Sequence, residues 1–239
     1  MYLENLVFDA VDPQRLGRFW EAALGSRKLT DEPGIYETRL SVPDGPELDL
    51  CFGRVEAAPT EPLRLHLDLR GDAEQEAVAA RLRELGATDL DIGQGDVPWI
   101  VMADPEGNPF CVMESREVYS NTGPIAAIPI DSADPERDGK FWSWLTGWVP
   151  APGVSPVTLR HPSMRGVLLE FGPEPGPIGD GKNRLHLDVR LETGDDPDAV
   201  FAKVVELGGG DFPHNWGELP WRVCVDPSGN QFCLLPARG

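Results

Sequence analysis

Long hydrophobic runs, basic residues and paired cysteines are what this 239-residue chain has least of. No apolar stretch approaches the roughly 20 residues that a membrane-spanning helix requires. The start, Met1-Tyr2-Leu3-Glu4-Asn5, shows no basic segment followed by an apolar one. Both absences predict a cytoplasmic protein with no membrane partner. Lys and Arg number 21 against 40 Asp and Glu, a formal net charge of −19. Such a surface repels phosphate backbones, which argues against nucleic acid as a partner. Four cysteines without a Cys-x-x-Cys pair do not make a disulfide framework, so reduced thiols are expected. A nucleophile elbow, a phosphate-binding loop and a dinucleotide fingerprint are also missing, which removes three common routes to catalysis.

What the chain does contain is a copy of itself. Arg64-Leu65-His66-Leu67-Asp68-Leu69-Arg70 returns 120 residues later as Arg184-Leu185-His186-Leu187-Asp188-Val189-Arg190. Phe19-Trp20 returns as Phe141-Trp142 and Pro98-Trp99 as Pro220-Trp221, each 122 residues later. Asp104-Pro105-Glu106-Gly107-Asn108-Pro109-Phe110-Cys111 returns at the same interval as Asp226-Pro227-Ser228-Gly229-Asn230-Gln231-Phe232-Cys233. A period this long exceeds a solenoid repeat and matches a domain. Residues 1–118 and 119–239 are therefore expected to be two homologous domains, joined near Tyr119-Ser120-Asn121-Thr122-Gly123-Pro124. Strand side chains alternate between faces. Leu65, Leu67 and Leu69 should pack, while Arg64, His66, Asp68 and Arg70 share the other face.

Each half predicts the same order of elements. Leu3 to Val11 reads as a strand, and Asp12-Pro13 as the cap and first position of a helix. That helix carries Leu16, Phe19, Trp20, Ala23 and Leu24 at helical spacing and stops at Gly25. Strands follow at 35–42 and 47–52, then the duplicated strand. The capping-box-like Asp72-Ala73-Glu74-Gln75 opens a helix to Leu85, and strands at 99–103 and 109–114 flank the Asp-Pro-Glu-Gly-Asn turn. The second half repeats this with strands at 125–132, 157–160 and 166–171 and helices after Asp134-Pro135 and Asp196-Pro197. The result is four β-α-β-β-β modules, two per half.

This order, with Phe-Trp-x-x-x-Leu-Gly at 19–25 and Asp-Pro-x-Gly-Asn-x-Phe-Cys closing each half, resembles the vicinal oxygen chelate superfamily, specifically its glyoxalase-like branch. The resemblance spans essentially the whole chain. It implies an α+β fold of tandem glyoxalase-like domains, in which paired modules curl into cupped mixed sheets with helices outside and a ligand inside. It also implies a divalent metal that takes one ligand, usually His or Glu, from the first and last strand of each module. Matching positions in the first half hold Asn5, Cys51, His66 (or Arg64) and Cys111; in the second half they hold Ala127, Glu170, His186 (or Arg184) and Cys233. So far from the His/Glu pattern, the sets read as loss of the metal. If a divalent ion does bind, His66 and Glu170 are expected to hold it, and they meet only if the halves exchange modules. Both pairings stay open at this point.

A different constellation is kept in both halves. Asp68 follows His66 by two residues and Asp188 follows His186, so each pair lies on one face, where a carboxylate can hold the ring and stabilise its protonated form. His66, Asp68, His186 and Asp188 are thus the expected catalytic residues for general acid–base work. Arg64 and Arg184 would hold an anionic group, with Asp9, Asp131, Trp99, Trp221, Cys111 and Cys233 as further ligand contacts. The structural alternative has equal standing: an inward ladder of Arg, His and Asp can be a satisfied ion-pair network that closes a small domain. Trp20 and Trp142 belong to the helix core stripe. Trp216 sits in a loop with His214, has no tryptophan counterpart in the first half, and could form part of a pocket lid.

Two functional readings follow. One is an enzyme performing isomerase- or lyase-type proton transfer on a small organic metabolite, without a metal or with an atypical one. The other is a binding protein that sequesters a small molecule or antibiotic, as the drug-resistance members of the superfamily do, with an acidic surface and aromatic walls suited to a cationic ligand. The chain is expected to be a monomer acting as an intramolecular pseudo-dimer, or a homodimer.

Overall fold

A computed structural model describes residues 1–173 and 181–238. The first module consists of β1 (Tyr2–Ala10), α1 (Pro13–Leu24), β2 (Arg27–Glu32), β3 (Ile35–Ser41) and β4 (Glu47–Arg54). The second has β5 (Leu67–Asp72), α2 (Gln75–Leu85), β6 (Thr88–Asp89), β7 (Ile100–Ala103) and β8 (Pro109–Glu114). The third has β9 (Ile125–Ser132), α3 (Pro135–Thr146), β10 (Val149–Pro150), β11 (Val157–Arg160) and β12 (Leu168–Pro173). The fourth has β13 (Leu185–Arg190), α4 (Pro197–Glu206), β14 (Gly210–Asp211), β15 (Arg222–Val225) and β16 (Gln231–Leu235).

Asp12, Asp134 and Asp196 cap their helices through side-chain bonds to backbone N–H groups, as expected. The capping box expected at Asp72 does not form. Asp72 ends β5 with a φ of +51°, its Oδ2 accepts from Arg70 Nε at 2.6 Å, and Glu74 starts α2 without a side-chain cap. Four strands absent from the sequence reading, β2, β6, β10 and β14, all lie at sheet edges. They are short or charged, as with Arg27, Lys28, Asp31 and Glu32 in β2, so no apolar alternation marks them.

The halves exchange modules. One eight-stranded sheet runs β14-β15-β16-β13-β1-β4-β3-β2 and the other β10-β11-β12-β9-β5-β8-β7-β6. The first joins modules four and one through the antiparallel pair β1–β13; the second joins modules three and two through β5–β9. We call their concave sites the terminal cup and the central cup.

The most repeated motifs bind each other. Trp20 Nε1 donates to Asp104 Oδ2 at 3.1 Å, and Trp142 Nε1 to Asp226 Oδ2 at 3.0 Å. The same indoles meet Phe110 and Phe232 edge-on, with centroids 5.2 and 5.5 Å apart. These contacts tie module one to two and three to four, while the sheets tie one to four and two to three. One core cluster runs through all four modules. Two matched glycines allow the helices to lie close on the sheets. A Cβ at Gly17 would stand 2.2 Å from Tyr36 Cδ1, and one at Gly139 would stand 2.5 Å from Val157 Cγ1. Among the described residues no helix is long and apolar enough to cross a membrane.

Candidate functional site

Strand pairing lays out the floor of the terminal cup. Asp188 on β13 sits beside Asn5 on β1 and Cys233 on β16, and Val7 separates His186 from Cys51. Asn5 Nδ2 donates to Asp188 Oδ2 at 2.9 Å, while His186 Nε2 lies 3.5 Å from Asp188 Oδ1. His186 Nδ1 and Asp188 Oδ1 are buried with no hydrogen-bond partner. Above this floor opens a cavity of about 630 Å³, walled by Val7, Ile35, Val223 and Leu235 and rimmed by Trp216 and Trp221. Its size fits a small organic molecule.

The charge state of the floor differs from the sequence expectation. Asp188 was expected to stabilise protonated His186, but burial penalises both charges. It drives His186 down to about 3, helped by the Lys182 ammonium, and pushes Asp188 up to about 7 against the bonds from Asn5 and Cys233. Desolvation outweighs their mutual attraction, so His186 is neutral near pH 7. Burial and neighbouring carboxylates also raise the Cys51 and Cys233 thiols well above their ordinary value.

At the mouth, Lys182 Nζ lies 2.6 Å from Asp9 Oδ1 and 4.9 Å from the centre of the Trp216 ring. His214 stacks on the same indole with centroids 4.8 Å apart. Asp9 is buried, its Oδ2 has no hydrogen-bond partner, and desolvation raises its pKa against the pull of Lys182.

The central cup carries the matching floor under a different roof. His66 Nε2 lies 3.4 Å from Asp68 Oδ1, and Asp68 pairs in register with Ala127 and Cys111. Glu170, from β12, accepts from Val154 N at 3.0 Å, and burial raises its pKa, with Asp68 adding to the rise. The interdomain linker turns through a short 3-10 helix at Glu117–Tyr119 and places Tyr119, 1% exposed, in one buried cluster with Cys111, Ala127 and Leu168. Arg116 lies over both Tyr119 and Trp99, 5.7 and 5.9 Å from the ring centres, and its Nε donates to Glu114 at 2.6 Å. Sequence reading treated this linker only as a joint. Its one signal was the large aromatic at 119 in an otherwise polar run.

Arg64 and Arg184 reach turns instead of the cup floors. Arg64 Nε donates to Asn230 Oδ1 at 2.9 Å and approaches Asp131 at 3.7 Å. Arg184 donates to Asn108 Oδ1 at 3.0 Å and to the Pro59 carbonyl at 2.7 Å. Each therefore stitches the duplicated strand of one sheet to the Asp-Pro-x-Gly-Asn turn of the other. Asp9 and Trp221 line the terminal cavity, whereas Asp131 faces Arg64 and Trp99 lies under Arg116.

Among the described residues two groups could hold a metal: His66, Asp68 and Cys111 in the central cup, and His186, Asp188 and Cys233 in the terminal cup, each with donor atoms within 4.8 Å of one another. Nitrogen, oxygen and sulfur donors together suit a borderline ion such as zinc. The unpartnered Asp68 Oδ1 and Asp188 Oδ1 leave lone pairs for it, so the residues fit. Glu170, expected to pair with His66 as a ligand, stands outside the first group, and Cys111 takes its place.

The glyoxalase-like domain model matches the chain twice, over residues 5–113 and 127–235. The chain belongs to the glyoxalase-like family. It lies within the vicinal oxygen chelate superfamily, as its motifs implied. Glyoxalase I from Zea mays superposes with a TM-score of 0.68 at 17% identity, covering 98% of this chain and 92% of that one. A protein from Bacillus subtilis subsp. subtilis str. 168, provisionally described as a dioxygenase, superposes with a TM-score of 0.61 at 16% identity, covering 100% of this chain and 86% of that one. A comparison with curated proteins returns no match. At these identities the structural likeness establishes the tandem glyoxalase-like fold and leaves the chemistry to the site.

Proposed function

We propose that this glyoxalase-like protein is an enzyme acting on a small organic carbonyl compound by proton transfer, of isomerase or lyase type, in its terminal cup. The observation that carries this reading is the cavity of about 630 Å³ over Asn5, His186 and Asp188. Asp188, with a pKa pushed up to about 7, is suited to take a proton from the carbon next to a carbonyl and return it. Neutral His186 beside it can hydrogen-bond the oxygen that becomes an enolate. The same His186, Asp188 and Cys233 could instead hold a zinc-like ion, which would, when bound, supply Lewis-acid polarisation in place of these two roles.

The test is deuterium exchange at the α-carbon of a panel of small ketones and 2-oxo acids in D₂O, followed by proton NMR. Asp188→Asn is expected to slow exchange by about 10²-fold or more, the scale of general acid–base catalysis. Exchange that proceeds equally in the variant would sink the assignment. Trp216 and Trp221 at the rim favour a second reading, a sequestering protein. That reading predicts binding without exchange, unchanged in Asp188→Asn and His186→Gln but weakened in Trp221→Ala.

A further inference from the structure

Since Arg64 and Arg184 are engaged by turns, the cation that meets a ligand must be sought elsewhere on the wall of the terminal cavity. Arg54, Arg190 and Lys182 line it. Arg190 donates to Glu4 at 2.7 Å and to the Pro236 carbonyl at 2.8 Å, and exposed Arg54 reaches back to the Val11 carbonyl at 3.1 Å. Lys182 is placed differently. Of the three donors of its ammonium, one meets Asp9 and one faces the Trp216 ring, and a third remains for the cavity. Its charge reaches the floor, where it bears on both His186 and Cys233.

Lys182 and Trp216 are also both places where the internal repeat breaks, the first half holding Pro62 and Gln94 at the matching positions. Their partner Asp9 does have a match, Asp131, which lies 3.7 Å from Arg64 instead. The second copy has thus brought a cation and an aromatic roof, from two separate segments, to the same mouth.

We propose that Lys182, braced by Asp9 and roofed by Trp216, is a specificity-determining residue that selects a small organic carboxylate with a planar apolar body. The carboxylate accepts from Lys182, and the body lies against the apolar wall of Val7, Ile35, Val223 and Leu235, with Trp216 and Trp221 at the rim. A neutral ligand would leave the remaining donor of Lys182 unmatched in a half-buried site. The inference rests on the terminal cup being the working site.

Isothermal titration calorimetry with three probes of one shape, cinnamate, cinnamamide and cinnamylamine, tests it on wild type, Lys182→Met, Lys182→Arg and Trp216→Leu. Wild type is expected to bind the acid about tenfold more tightly than the amide, the scale of one charge-assisted hydrogen bond. Lys182→Met should abolish that preference, Lys182→Arg should restore most of it, and Trp216→Leu should weaken acid and amide alike. An acid preference that persists in Lys182→Met, or tightest binding by the amine, would overturn the role of Lys182. Equal binding of acid and amide, unchanged in Lys182→Met, would overturn it while leaving the terminal cup as a binding site. No heat from any probe at millimolar concentration would overturn both readings.

Discussion

His186 and Asp188, two residues apart on β13, are both held towards their uncharged forms, and their effects on stability oppose each other. Asp188 rises from an ordinary 3.8 to about 7, and His186 falls from an ordinary 6.5 to about 3. The fold favours protonated Asp188, so that contribution is full below about pH 4 and is lost as pH rises towards about 7. It favours neutral His186, so that contribution is present above about pH 6.5 and is lost as pH falls through about 3. Urea midpoints of EDTA-treated protein, followed from about pH 4 to about pH 7, should therefore separate two variants. Asp188→Asn keeps only the histidine contribution and should gain stability with rising pH more steeply than wild type. His186→Gln keeps only the aspartate contribution and should gain less or lose stability. Parallel profiles in both variants would mean that water reaches the floor and burial does not control it. Alternation along the duplicated strand was enough to place both residues on one face. Their charge states were not readable, because desolvation sums over atoms supplied by β1, β4 and β16.

At the scale of elements, the helices and central strands were legible, since α1 and α3 carry Asp-Pro starts and apolar stripes that depend only on local spacing. The cover of the central cup was not. The linker at Glu117–Tyr119 has no periodicity, and Tyr119 is buried in a cluster with Cys111, Ala127 and Leu168 that only tertiary folding assembles. Tyr119→Ala should cost about 3 kcal/mol or more of unfolding free energy, the usual range for truncating a buried aromatic. It should also open Cys111 to thiol reagents, with labelling located by peptide mass spectrometry. Unchanged labelling together with near wild-type stability would show that the linker does not seal this floor.

For the molecule as a whole, module exchange makes each half incomplete. Residues 1–118 alone would expose one edge each of β1 and β5, because the partners on that side, β13 and β9, belong to the other half. The two halves expressed as separate chains should therefore associate one to one, and light scattering after size-exclusion chromatography reads the outcome. Halves that stay folded and monomeric would refute the exchange. The intact chain should run as a monomer, because both sheets are completed within it and the edge strand β2 carries Arg27, Lys28, Asp31 and Glu32 outward.

The sequence by itself determined the duplication, the four modules and the inward face of each duplicated strand, because repeats and two-residue alternation are local properties of a chain. Only the tertiary structure decided that module one closes on module four, that Arg64 and Arg184 bind turns, that Tyr119 covers one floor, and that Lys182 and Trp216 meet over the other. Each of those outcomes joins segments far apart in the chain and depends on which surfaces are removed from water together. No period in the sequence encodes that.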